Sequence, residues 1–251
     1  MLWLKPVTLT LIPILAFQGY RVKKNIIRLA EPDGCRKGIT NKTNETNKSK
    51  TLSILILGDS AGAGVGVQHQ DEALLGSIVK PLSQDFQISY CLEAQTGRTT
   101  QDVLAVLKKM PNQHFDIVIT SLGVNDVTKL ISVKTWVTQQ KQLYSNIEEK
   151  FSPQLVLVTA VPPMQHFPAL PNPLAWLFGQ YATAMNKKLR SDITQKTNYH
   201  LLPFDLLQFR QLNLNMAEDG FHPSKEIYQL WANAMLKIIQ QHFISRTEPK
   251  I

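Results

Sequence analysis

The chain is poor in cysteine. Cys35 and Cys91 are the only two in 251 residues, too few for a disulfide framework and without the spacing of a zinc or thiol-redox motif. Cys91 lies in an apolar run and is expected as a buried thiol; nothing local argues for a Cys35–Cys91 bridge. Acidic residues are also in deficit, 19 against 27 Lys and Arg, but the deficit is local. Residues 1–50 hold ten Lys or Arg and three acids, whereas residues 51–251 hold seventeen and sixteen. A basic stripe that tracks nucleic acid has to be spread over a folded surface, so no nucleic-acid partner is expected. Long apolar runs are missing too. Pro6–Tyr20 is uncharged but bounded by Lys5 and Arg21, short of the roughly 20 residues a spanning helix needs. No internal repeat is visible, and no imidazoles or carboxylates stand at metal-ligand spacing, so neither metal nor cofactor is expected.

What the N-terminus does contain is a hydrophobic segment, residues 1–24, followed by cations. It reads as a weak membrane anchor, an interfacial segment or a signal. The best cleavage site, Ile14 with Ala16, is poor. Arg21, Lys23 and Lys24 would keep the domain on the cytoplasmic face and meet anionic headgroups, so peripheral membrane contact is expected, with secretion left open. Residues 25–50 read as a basic polar linker. The stretch Gly38–Thr51, GITNKTNETNKSKT, which runs from it into the next segment, is aperiodic and rich in Asn, Lys and Thr and reads as a flexible linker. Asn41, Asn44 and Asn47 each open an N-x-[ST] triplet, relevant only in a eukaryotic secretory pathway.

Residues 51–251 alternate between apolar strand patterns and helical ones. Strands are expected at 52–58, 86–92, 115–122, 154–161 and 199–204, and helices at 71–81, 99–110, 132–150, 173–196 and 224–243. Ile117, Val118 and Ile119 are consecutive, as expected of a parallel strand covered on both faces. Right-handed crossovers then give one α/β domain, a three-layer αβα sandwich. Its functional groups belong outside the carboxyl ends of the strands.

The first of these strands runs into ILILGDSAGAGVGV, residues 54–67. Three machines begin this way: a dinucleotide turn, the nucleophile elbow of an α/β-hydrolase, and the serine loop of a smaller hydrolase class. A Walker loop would end in G-K-[ST], where Val67 and Gln68 stand. An elbow usually follows several strands and keeps its acid far from its histidine. A dinucleotide turn could use Glu93 at the second strand's end but leaves Asn125, Asp219 and His222 unexplained.

The remaining strand ends supply the chemistry. A serine hydroxyl becomes a nucleophile when an imidazole takes its proton and a carboxylate fixes that imidazole. Asp219 and His222, three apart in EDGFHPS, can do this for Ser60. The oxyanion needs donors: the backbone N–H groups of Ser60 and Gly97 and the side-chain amide of Asn125. Asp59 and Asp126 read as structural carboxylates. His69, His114, His166, His200 and His242 have no motif company.

Together GDS at Gly58–Ser60, TGRTT at Thr96–Thr100, GVND at Gly123–Asp126 and DGFH at Asp219–His222 resemble the SGNH hydrolases, also called the GDSL family of esterases and lipases. Ser60, Gly97, Asn125 and His222 match the four residues that name the family, and Asp219 matches its acid. The resemblance covers about Thr51–His242 and implies a flavodoxin-like sandwich with a five-stranded parallel sheet. Ala61 stands where the family name carries leucine. Family members cleave many carboxylic esters, so the fold does not choose among them. The apolar loop Val161–Gly179 suggests an acyl pocket lined by Met164, Phe167, Leu170, Trp176 and Phe178. An esterase or lysophospholipase-like enzyme acting on an apolar acyl group is therefore expected. A deacetylase of acetylated glycans is the alternative, and a non-catalytic binding module on the same fold is the alternative of another class.

Overall fold

The structure, a computed structural model, describes residues 4–40, 50–204, 211–212 and 214–244. Its strands are β1 (Lys37–Ile39), β2 (Lys50–Gly58), β3 (Phe86–Ala94), β4 (Ile117–Ser121), β5 (Leu155–Thr159) and β6 (Tyr199–Leu202). The helices are α1 (Leu4–Asn25), α2 (Ser60–Ala63), α3 (Leu74–Leu82), α4 (Thr100–Lys109), α5 (Val124–Thr128), α6 (Val133–Phe151), α7 (Leu174–Ile193) and α8 (Lys225–Phe243).

All five strands expected from the sequence pair in parallel, in the order β3-β2-β4-β5-β6. Because successive side chains of β2 point to opposite faces, Leu55 and Leu57 join one core while Ile54 and Ile56 join the other. The first core is closed by α4, α6 and α7, and the second by α3 and α8. Helices on both faces explain why Ile117, Val118 and Ile119 are all fully buried.

The sheet is six-stranded and mixed, not the five-stranded parallel sheet that the resemblance implied. β1 adds to the outer edge of β3 antiparallel, setting Lys37, Gly38 and Ile39 opposite Cys91, Tyr90 and Ser89. Three residues held by backbone pairing leave no hydrophobic period to read. Gly38 permits the approach, because a Cβ there would lie 2.7 Å from the Tyr90 hydroxyl. The short strand also covers an edge that would otherwise be open to pairing.

The polar segment before β2 is thus no simple spacer over its first half. Asp33 bridges His69, with Asp33 N donating to Gln68 O and Gln70 N to Asp33 O. Arg36 donates to Glu31 and to Ala94 O. Residues 41–49, with the three Asn triplets, lie outside the described residues. Both thiols are free, Cys91 buried and Cys35 exposed. The N-terminal segment forms a 22-residue helix despite Pro13, with Leu15 and Val22 packed on the first core. Among the described residues no helix is long and apolar enough to cross a membrane.

Candidate active site

Ser60 follows β2 at the carboxyl edge of the sheet. Asp59 N donates to Ser121 O of β4 at 3.1 Å, which fixes where the chain leaves the strand. The Asp59 carboxylate then caps α2 by accepting from Ala61 N at 3.1 Å. As the first helical residue, Ser60 has a backbone N–H with no intrahelical acceptor. From α8 the buried Tyr228 hydroxyl reaches Val65 O at 2.8 Å and Ala61 O at 3.1 Å, clamping the carbonyls of the serine loop. Gly66 has φ +115°, and a Cβ there would lie 2.1 Å from Pro223 O. Only glycine lets the serine loop pass directly under the histidine loop.

The histidine loop is a turn closed by Gly220 N donating to Ala217 O and Ala217 N to His222 O. Asp219 curls back inside it. One carboxylate oxygen accepts from the N–H groups of Phe221 and His222 at 2.9 and 3.0 Å. The other meets His222 Nδ1 at 2.5 Å, and His222 Nε2 lies 2.9 Å from Ser60 Oγ. Ser60, His222 and Asp219 therefore form one continuous relay, joining residues 162 positions apart. Burial pushes the Asp219 carboxyl up, but the hydrogen bonds from His222 and Phe221 outweigh it and hold it below the usual carboxylate range.

Asn125, in the first turn of α5, and the Gly97 loop are bonded to each other. Asn125 Nδ2 donates to Arg98 O at 3.0 Å, and Lys129 Nζ reaches Gly97 O at 3.4 Å. Gly97 has φ +83° with open space where a Cβ would point, so its backbone angle rather than crowding calls for glycine. Asp126 is fully buried and accepts from the N–H and hydroxyl of Thr100, the structural role read for it. The Gly97 loop is braced from outside by Glu31, which accepts from Thr96 N at 2.6 Å. Sequence reasoning missed this, because Glu31 sits in a segment without pattern.

An apolar cavity of about 120 Å³ opens beside Ser60 and His222. Its wall includes Leu122, Leu202, Met216, Phe221 and Trp231, and Ala61 stands at its serine end. Of the expected lining residues only Phe167 borders it. Met164, Leu170 and Phe178 are instead buried in the first core, and Trp176 is exposed. The correction has a physical cause: α7 needs one buried side, and the proline-rich loop supplies apolar groups to that packing. The cavity wall is completed by the end of β6, the histidine loop and α8, which packs on the other face of the sheet. Its signal was the spacing of Ile227, Leu230, Trp231 and Ala234 on α8, distinct from the sheet-facing Tyr228, Ala232, Met235 and Ile239. Among the described residues no three His, Cys, Asp or Glu side chains are grouped to hold a metal ion.

Asp59 differs from Asp219 in one respect with a measurable result. Burial pushes its carboxyl up to about 7, against the opposing N–H groups of Ala61 and Gly62. A carboxyl that binds its proton more tightly folded than unfolded loses stability as pH rises from about 4 through 7. Asp59→Asn should therefore gain on the parent across that window. The gain should reach at most about 4 kcal/mol at pH 8, read from urea denaturation at pH 4, 6 and 8.

With this geometry in hand, comparison with known proteins is direct. The model of the GDSL-like Lipase/Acylhydrolase family matches residues 56–230. No curated protein matches the chain. Among solved structures, a lipolytic protein of the G-D-S-L family from Veillonella parvula is 14% identical with a TM-score of 0.62, over 76% of this chain and all of that one. The psychrotrophic esterase EstA from Pseudoalteromonas sp. is 22% identical with a TM-score of 0.56, over 75% of this chain and 97% of its own. A carbohydrate esterase family 2 enzyme from Corynascus thermopiles is 14% identical with a TM-score of 0.62, over 79% of this chain and 68% of its own. At such identities these structures speak for the fold alone, whereas the family model spans most of the sequence, including the serine and histidine loops. The chain belongs to the GDSL-like lipase and acylhydrolase family.

Proposed function

We propose that the protein is a serine esterase that hydrolyses carboxylic esters of apolar acyl groups, in the manner of an esterase or lysophospholipase, through an acyl-enzyme on Ser60. The observation that carries this reading is the Asp219–His222–Ser60 relay ending at the mouth of an apolar cavity. Ser60 Oγ attacks the ester carbonyl as its proton passes to His222 Nε2. Asp219 holds the proton on Nδ1 and stabilises the imidazolium. The oxyanion accepts from the N–H groups of Ser60 and Gly97 and from Asn125 Nδ2. Collapse breaks the bond to the alcohol oxygen, which takes the proton from His222. Water, deprotonated by the same imidazole, then attacks the acyl-serine, and the acid leaves as Ser60 regains its proton. The acyl chain occupies the cavity, where Leu202, Met216, Phe221 and Trp231 offer it apolar contact.

The competing substrate reading is a deacetylase of acetylated glycans, suggested by the likenesses to a carbohydrate esterase and to an acetyl-xylooligosaccharide esterase. Chain length separates the two. On p-nitrophenyl esters, kcat/KM should rise from acetate to medium-chain acyl groups; a collapse beyond acetate would favour the deacetylase. A fluorophosphonate should label the parent and not Ser60→Ala. An unlabelled, folded parent would reduce the chain to a binding module.

Two further substitutions test the donors. Asn125→Ala should cut turnover about a hundredfold or more, the loss of roughly 3–4 kcal/mol expected for an oxyanion donor, while the protein stays folded with stability lowered by only about 1 kcal/mol for the lost bond to Arg98 O. Glu31→Ala should release Thr96 N and loosen the Gly97 loop, lowering kcat roughly threefold to tenfold with KM steady. Glu31→Gln, which keeps an acceptor, should recover most of it.

A further inference from the structure

α1 carries apolar groups on two sides. On the inner side Leu15 and Val22 pack on the core. Gln18 is fixed there by donating to Asn172 O at 2.6 Å and accepting from Leu174 N at 3.1 Å. On the outer side Ile12, Ile14, Phe17 and Tyr20 are 50%, 48%, 60% and 63% exposed. A surface helix normally turns charged residues outward. This one has no charge between Lys5 and Arg21.

Charge arrives at one end and with one sign. Arg21, Lys23, Lys24 and Arg28 are all exposed, and no acid intervenes before Glu31. The Arg21 guanidinium lies over the Phe17 ring, 5.8 Å from its centre, joining the cations to the apolar face. Exposed aromatic and aliphatic groups beside a cluster of cations are the composition of a helix that lies in a membrane interface and favours anionic headgroups.

The position of α1 gives this face a bearing on the site. Across a groove, Ile14 and Phe17 oppose Ala169, Pro171, Glu218 and Asp219. The same two loops present Phe167 and Phe221 to the catalytic cavity, their rings 5.1 Å apart and edge to face. Each loop thus has the helix on one side and the cavity on the other. We propose that the outer face of α1 docks the protein in the plane of an anionic lipid surface, placing the catalytic loops beside lipid-borne esters. The last clause rests on the esterase reading; the docking does not.

Co-sedimentation of the full chain with phosphatidylcholine vesicles, with and without one quarter phosphatidylglycerol, tests the docking. Binding should appear with the anionic vesicles, weaken with salt, and be released by alkaline carbonate. Phe17→Ser with Tyr20→Ser should abolish it. Lys23→Gln with Lys24→Gln should weaken it on the order of fivefold for each cation removed. Hydrolysis of soluble p-nitrophenyl acetate serves as the folding control, and both variants should keep it. Docking without hydrolysis would overturn the esterase reading and leave the docking standing. Equal sedimentation with and without anionic lipid would overturn the docking, as would carbonate-resistant insertion. So would a Phe17-dependent dimer that ignores vesicles.

Discussion

The arrangement depends on bringing an imidazole from the end of the chain to a hydroxyl near its start, and the contact that fixes this is the passage of Gly66 under Pro223. A side chain at Gly66 would strike the Pro223 carbonyl, so the two loops approach only through bare backbone. Tyr228 holds the same approach from below by bonding carbonyls on both sides of the turn. Since α8 begins three residues after His222, the helix that positions this imidazole also grips the loop that carries Ser60. The parallel sheet supplies the common edge, and these two contacts set the separation on it.

Two buried carboxylates stand near this junction, and their environments drive them apart. Asp219 gains the His222 ring and two N–H groups, and these outweigh its desolvation. Asp59 has backbone donors at the start of α2 but no cationic partner in direct contact, and desolvation wins. The carboxylate proposed to orient His222 is held as an anion, while the one that caps α2 tolerates a proton. Asp59 lies the deeper of the two and lacks the imidazole, so stronger desolvation and a missing hydrogen bond to the charged form both push it up.

Periodicity and local motif made much of this legible. β2, β4 and β5 are near-continuous apolar runs and β3 alternates, while Gly58–Ser60, Gly123–Asp126 and Asp219–His222 are contiguous peptides whose chemistry is visible in one dimension. Their convergence followed from the rule that parallel strands share one functional edge. The lining of the cavity beside Ser60 was not legible for a related reason. Met164, Leu170 and Phe178 are apolar and follow a strand, but apolarity does not say whether a group faces a cavity or a helix. That depends on the direction of the chain after β5, which only the folded structure supplies. β1 and Glu31 were illegible because their roles rest on backbone pairing and on single hydrogen bonds, which impose no repeat on the sequence.

The region matched by the family begins at residue 56, yet contacts that shape the site begin earlier. Pro32 fills the space beside Gly64, where a Cβ would lie 2.8 Å from its ring, and Glu31 holds Thr96 N next to Gly97. One short peptide therefore touches both the serine loop and the Gly97 loop. Arg36 then ties it to the end of β3 through Ala94 O, and β1 continues the pairing. The same peptide follows α1 within six residues, so the outward helix and the two loops are mechanically adjacent. The contacts around Ser60 thus reach back to Glu31, and a chain begun at β2 would keep every proposed reacting group while losing the brace that sets one of its proposed oxyanion donors.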